Sequence, residues 1–215
     1  METEKLYHED PYLGEFEAMV LRVDGNEVVL DRTAFYPEGG GQAGDTGVIG
    51  GVRVADTQIR DGIIVHILEA PPSFTAGDRV ECRIDWERRH RIMRLHSAAH
   101  IMEFFLRRRL GEMERVGSHV DDRKDRSDYA YEGRLPADEL KKVEEDTNRF
   151  LAEGREIRIR PDPERPGIRI WSCGPIEMPC GGTHVRSTRE IGAVRLRRRN
   201  PGRGVERVET TLAED

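Results

Sequence analysis

The pattern of apolar residues changes character at Asp85. Before it, apolar positions fall in short runs broken by turns such as Asp24-Gly25-Asn26 and Asp61-Gly62. After it, from Trp86 to Leu110, they recur at spacings of three and four. Alternation suits a pleated strand and a period near 3.6 suits a helix, so the two halves cannot share one architecture. The chain is therefore expected to be α+β. A small β-barrel-like N-terminal domain spans residues 1–85, followed over residues 86–215 by an α+β domain with helices packed on a largely antiparallel sheet.

Within the first half, Met19 to Val23 and Glu27 to Leu30 read as strands joined by the Asp24-Gly25-Asn26 turn. Val48 to Ala55 and Ile63 to Leu68 read as a second pair, with Asp61-Gly62 at the start of the latter, and Val80 to Ile84 as a further strand. In the second half, Asp85 suits the cap of the Trp86 to Leu110 helix and Gly111 its end. Ile92, Leu95, Ala99, Met102, Phe105 and Leu106 form one apolar face. A second helix is expected from Pro136 to Glu153, stopped by Gly154. Strands are expected at Glu156 to Arg160, Ile168 to Trp171, Ile191 to Arg197 and Val205 to Thr211.

Composition excludes some functions and leaves others open. The 215 residues are 35% charged and 36% hydrophobic, with no apolar run long enough for a membrane helix. The stretch from Met1 to Tyr12 is acidic and polar rather than a secretory leader, so a cytoplasmic protein is expected. Three cysteines, Cys82, Cys173 and Cys180, argue against a disulfide framework. The net charge is −6, yet arginines cluster at 88, 89, 91 and 94, at 107–109, and at 195, 197, 198, 199 and 203. Such clusters either contact phosphates or form solvated faces balanced by glutamates.

Two pairs of residues carry the chemistry. His96 and His100 lie one turn apart on one face of the long helix. Cys180 and His184 flank Gly181-Gly182-Thr183, where glycines allow the backbone to turn tightly. Each pair alone is more often incidental. Together they make three imidazoles and one thiolate, the donors zinc prefers in tetrahedral geometry. Ser97 stands where a zinc protease would carry its general-base glutamate, so that class is excluded. Cys173 is assigned to the core.

His-Ser-Ala-Ala-His at 96–100, Gly-Ser-His-Val at 117–120, Arg-Ser-Asp-Tyr at 126–129 and Cys-Gly-Gly-Thr-His-Val at 180–185 occur in the order found in the editing domain of alanyl-tRNA synthetase. Glu190-Ile191-Gly192 and Gly204-Val205-Glu206-Arg207 extend the match. Upstream, Arg32-Thr33-Ala34-Phe35-Tyr36-Pro37-Glu38-Gly39-Gly40-Gly41-Gln42 and Gly44-Asp45-Thr46-Gly47 resemble the segment preceding that domain. An aminoacylation domain does not fit in 215 residues, so the chain resembles the free-standing AlaX family in its medium-length form.

The resemblance implies a hydrolase that deacylates tRNA(Ala) mischarged with serine, and with glycine as an open second target. It implies one zinc per chain on His96, His100, Cys180 and His184, with Thr183 beside them at the catalytic centre. Ser118, Gly39, Gly40, Gly41 and Gln42 are implied substrate contacts, and Arg198 and Arg199 are candidate phosphate contacts. The glycines have the simpler reading of a sharp turn. Thr183, Ser118 and Ser97 are candidates for the hydrogen bond that tells serine from alanine. Ala99 and Arg115 depart from the threonine and glutamine common in relatives, near the amino-acid pocket. Two alternatives remain open: a non-catalytic tRNA-binding module with structural zinc, and a zinc hydrolase of another small ester or amide.

Overall fold

The computed structural model describes residues 3–165, 167–202 and 204–213, so Arg203 lies outside it. The chain packs as two compact units, Met1–His90 and Arg91–Asp215. In the first, β1 (Glu4–Lys5) and the single turn α1 (Leu6–Glu9) precede β2 (Glu15–Asp24), β3 (Glu27–Leu30) and β4 (Arg32–Thr33). Then come β5 (Gly47–Ile49), β6 (Val52–Arg60), β7 (Ile63–Leu68) and β8 (Arg79–Ile84). Six of these form a closed ring in the order β2-β3-β7-β6-β5-β8, with β8 pairing back onto β2. Alternate side chains from all six, among them Val28, Leu30, Ile49, Val54 and Val80, fill its interior.

The expected strand Val48 to Ala55 is two strands. Gly50 and Gly51 have φ of 53° and 83°, a left-handed pair that turns the chain back on itself as a tight hairpin. Asp61 and Gly62, with φ of 51° and 80°, likewise form the β6–β7 turn rather than the start of a strand.

The segment Gly44-Asp45-Thr46-Gly47 has a structural task. A methyl group at Gly47 would collide with the carbonyl oxygen of Arg83, and one at Gly44 with that of Thr57. Between them Asp45 is buried and accepts from the Tyr36 N–H at 2.6 Å and from the Arg89 guanidinium, whose Nε lies 2.9 Å away. Arg89 also donates to the carbonyls of Pro11 (3.0 Å) and Ala34 (2.6 Å), so its charge is held by four hydrogen-bonded N–H groups inside the unit. Arg89 stands in the first turn of α2 (Trp86–Leu110). This anchor explains why the first unit extends to His90, five residues beyond the change in composition.

The second unit holds the rest of α2, β9 (Arg115–Val120), β10 (Asp125–Ala130), α3 (Ala137–Ala152), β11 (Arg158–Pro161), β12 (Arg169–Cys173) and β13 (Ile176–Pro179). A 3-10 turn at Thr188–Glu190, β14 (Val194–Gly202) and β15 (Val205–Leu212) complete it. Two antiparallel sheets result, β14-β15-β10-β9 and β11-β12-β13. The long helix is not one-faced as the spacing suggested: every residue from Leu95 to Glu103 is buried. Met102 and Leu106 pack with Tyr129 and Val208 of the larger sheet, while Trp171 and His184 close over His100. Gly111 ends the helix at φ 86°, its N–H on the Arg107 carbonyl. Among the described residues no helix is long and apolar enough to cross a membrane.

Candidate metal centre

His96 and His100 project from the buried middle of α2, and Cys180 and His184 from the loop after β13. The Cys180 N–H donates to the Arg169 carbonyl at 2.9 Å, which ties the loop to the start of β12. Neither Gly181 nor Gly182 has a positive φ, contrary to the expectation of a glycine-made turn. The value of Gly182 lies elsewhere, in an N–H that bonds the Cys180 sulfur. The four potential ligand atoms lie within 4.8 Å of one another. Cys180 Sγ is 3.5 Å from His96 Nε2 and 3.2 Å from His184 Nε2.

Proton positions favour a metal. Burial, then the Arg115 charge, lowers the His96 pKa to about 3. Burial and the neighbouring imidazoles also hold His100 and His184 well below their ordinary value. All three rings are therefore neutral, the form that ligates. Burial raises the Cys180 thiol, so its proton has to be displaced by a cation. Both ring nitrogens of His100 are buried without a hydrogen-bond partner, a state that costs free energy unless something else binds them. The Ser97 hydroxyl donates to the Met93 carbonyl at 2.8 Å and so receives the Nδ1–H of His184 at 3.1 Å. That fixes the tautomer, leaving the Nε2 lone pair for the cation.

This assigns Ser97 to orienting a ligand, since its only proton is already committed. Thr183 is buried beside His184, and Ser118 is exposed on the edge strand β9, opposite Ser127 of β10. Gly39 and Gln42 pair N–H to carbonyl in both directions, with Gly40 and Gly41 at φ of 59° and 85°. Gln42 is buried, so this tip is a tight turn of the first unit. Arg198 pairs with the buried Glu206 (Nη2 to Oε1, 2.6 Å), whereas Arg199 is exposed. The first arginine cluster is consumed internally: Arg89 binds Asp45, Arg91 the Asp122 carbonyl at 2.9 Å, and Arg94 the Ile191 carbonyl at 2.8 Å.

Sequence reasoning missed a polar cluster one turn along α2. Glu103 is nearly buried and holds Arg107 and Arg115, each at 2.8 Å. Arg115 is thereby tied back to the helix. Close by, Asp125 is buried and accepts from Ser127 Oγ at 3.0 Å. Burial pushes its pKa up to about 7. The folded carboxyl thus keeps a proton that the unfolded one loses near 4, and stability falls as pH rises through that window, by up to about 1.4 kcal/mol per pH unit. Asp125→Asn is expected to gain on the parent between pH 5 and pH 8 in urea midpoints. Parallel curves would sink the assignment.

Residues 5–88 match the family profile described as tRNA synthetases class II (A). Residues 168–209 match the profile of the threonyl and alanyl tRNA synthetase second additional domain. The chain is 40% identical over 218 residues to the alanyl-tRNA editing protein AlaX-M of Pyrococcus horikoshii, covering 98% of both. It is 38% identical over 242 residues to an alanine–tRNA ligase of Ignicoccus hospitalis, covering 99% of this chain and 27% of the ligase. A Pyrococcus abyssi alanine–tRNA ligase is 38% identical over 232 residues, with 96% and 25% covered. The chain thus spans about a quarter of the ligases and nearly all of the editing protein.

Proposed function

The chain belongs to the AlaX-M family of alanyl-tRNA editing proteins, and from that premise we propose that it hydrolyses the ester of tRNA(Ala) mischarged with serine, with glycine as a second target, using one zinc ion per chain. The observation that carries this reading is the convergence of His96, His100, Cys180 and His184 with three neutral imidazoles. Zinc bonds of roughly 2.0 Å to nitrogen and 2.3 Å to sulfur give a tetrahedral N–S edge of about 3.5 Å. The two Cys180 distances, 3.5 and 3.2 Å, agree with that edge.

When bound, zinc would supply Lewis acidity toward the ester or its attacking water. The chain does the rest. Ser97 holds His184 in the ligating tautomer, and burial keeps the imidazoles unprotonated. Thr183 and Ser118 are assigned to the seryl hydroxyl, because a pocket built for a hydroxyl rejects alanine by leaving its own polar groups unpaired. The Gly40 and Gly41 N–H groups make no hydrogen bond among the described residues, which leaves them for a phosphate or ribose of the RNA. A role in translation fidelity puts the protein in the cytoplasm.

Four protein ligands are also the number of a structural zinc site, which favours a second reading as a tRNA-binding module without turnover. One assay separates the two. Purified protein should carry about one zinc and strip serine from tRNA(Ala) at least about tenfold faster than alanine. Equal rates on the two esters would refute editing. Binding without any turnover would leave the module.

A further inference from the structure

We propose that the outer face of the β14-β15-β10-β9 sheet, the side turned away from α2, binds the phosphodiester backbone of the RNA substrate; this rests on the tRNA reading above. The register sets the face. Arg197 pairs with Glu209, Glu209 with Arg126 and Arg126 with His119, so these four share one rung. The next rung on that side is Arg199, Arg207, Asp128 and Gly117, and Arg195 lies opposite Thr211 on the other flank. The inner side carries Asp125, Ser127 and Tyr129, with Val208, all buried.

Six cations, counting Lys124 bonded to Glu209 at 2.6 Å, thus stand on the outer face against three carboxylates, Glu209, Asp128 and, at the edge beside His119, Asp121. Arg207 is held by Asp128 (2.6 and 2.9 Å), and Arg199 reaches Glu209 only at 3.4 Å with its side chain 63% exposed. Arg126, Arg195 and Arg197 have no ion pair among the described residues. The net charge is −6, and some exposed arginines elsewhere hold carboxylates: Arg109 with Asp146, Arg158 with Glu156, Arg160 with Glu177 and Arg165 with Asp162. Arg22, Arg79 and Arg83 of the barrel also have no ion pair among the described residues. Clustering unpaired like charges costs stability through self-repulsion, which binding a polyanion relieves.

The spacing suits the same partner. Alternate residues of β14 put Arg195, Arg197 and Arg199 about 6.7 Å apart in line. This is a row of guanidinium forks comparable in repeat with successive phosphates along one nucleic-acid strand. A protein partner would want an apolar centre, and the middle of this face is charged, with its small apolar residues, Ala130 and Val205, confined to the end rung. Arg198 is not part of it, because the strand turns its side chain inward to Glu206. The arginine run at 197–199 thus divides by parity, the odd positions facing outward.

The test compares Arg126→Gln/Arg195→Gln/Arg197→Gln with a control of three exposed barrel arginines, Arg22→Gln/Arg79→Gln/Arg83→Gln. Binding to tRNA(Ala) is followed by fluorescence anisotropy across salt concentrations, alongside zinc content and deacylation of the seryl ester. Each lost phosphate contact removes roughly 0.7 to 0.9 from the log–log salt slope, so the sheet variant should lose about 2 to 3. Its KM should rise while kcat and zinc stay at the parent's values, and the control should keep the parent's slope. An unchanged slope in the sheet variant, with a parent that binds and deacylates, overturns this surface and leaves the proposed function standing. Equal losses in both variants overturn it as a defined site. A parent that neither binds nor deacylates the tRNA overturns both readings.

Discussion

Cys180→Ala should reduce zinc content from about one per chain to near zero and lower seryl-tRNA(Ala) deacylation by more than about 100-fold. That exceeds the 10- to 100-fold typical of losing a group that merely supports a ligand. The thiolate is the only anionic donor among His96, His100, Cys180 and His184, and so the strongest electrostatic attraction for a divalent cation. Without it, three imidazoles remain around a buried charge. Ser97→Ala makes the informative comparison, since it leaves all four ligands and removes only the partner of His184 Nδ1. It should weaken metal binding by about 10- to 100-fold, with activity restored by added zinc. Metal analysis and chelator titration measure both. A Cys180→Ala protein that retained zinc and rate would remove the cluster from the mechanism.

Arg89→Met should destabilise the first unit by about 3–5 kcal/mol, because it strands the Asp45 carboxylate in the interior. For a chain of this size that corresponds to a fall in melting temperature of roughly 6–20 °C. Asp45 and Arg89 are 1% and 0% exposed, so no water substitutes for the lost partner. Replacing both at once, Asp45→Leu with Arg89→Met, should cost less than either alone, since it removes both charges. Arg60→Met is the surface control: its partner Glu27 is accessible to solvent, and the change should cost less than about 1 kcal/mol. Calorimetry on the three variants, with zinc content as a check on the second unit, gives the answer. A loss no larger for Arg89→Met than for Arg60→Met would show that the buried pair does not hold the barrel.

The two pairs of the His/Cys cluster were legible because each signal is local, whereas their convergence was implied only by the family resemblance. Histidines four apart on a helix share a face whatever surrounds them, and the β14–β15 hairpin, α2 and α3 announce themselves by period and by glycine stops. β9 and β10 were not legible. Their buried positions are Val120 at the end of β9 and Asp125, Ser127 and Tyr129 of β10, so the apolar alternation that marks a strand is missing where the sheet lines the polar cluster beside the site. β13 is four residues long, too short for any period to register. The Gly44 to Gly47 segment registered only as part of the family resemblance, and its role in seating Arg89 depends on residues some 40 positions away.

The sequence by itself determined the α+β class, the long helix and the two pairs His96–His100 and Cys180–His184, because each depends on neighbours within a turn or two. Tertiary structure alone decided that β8 closes the ring onto β2, that Arg198 turns inward while Arg197 and Arg199 turn out, and that Ser97 serves His184 rather than a substrate. Those outcomes depend on register and on which polar group reaches a partner first. Pairings between residues distant in the chain set both, and no local pattern encodes them.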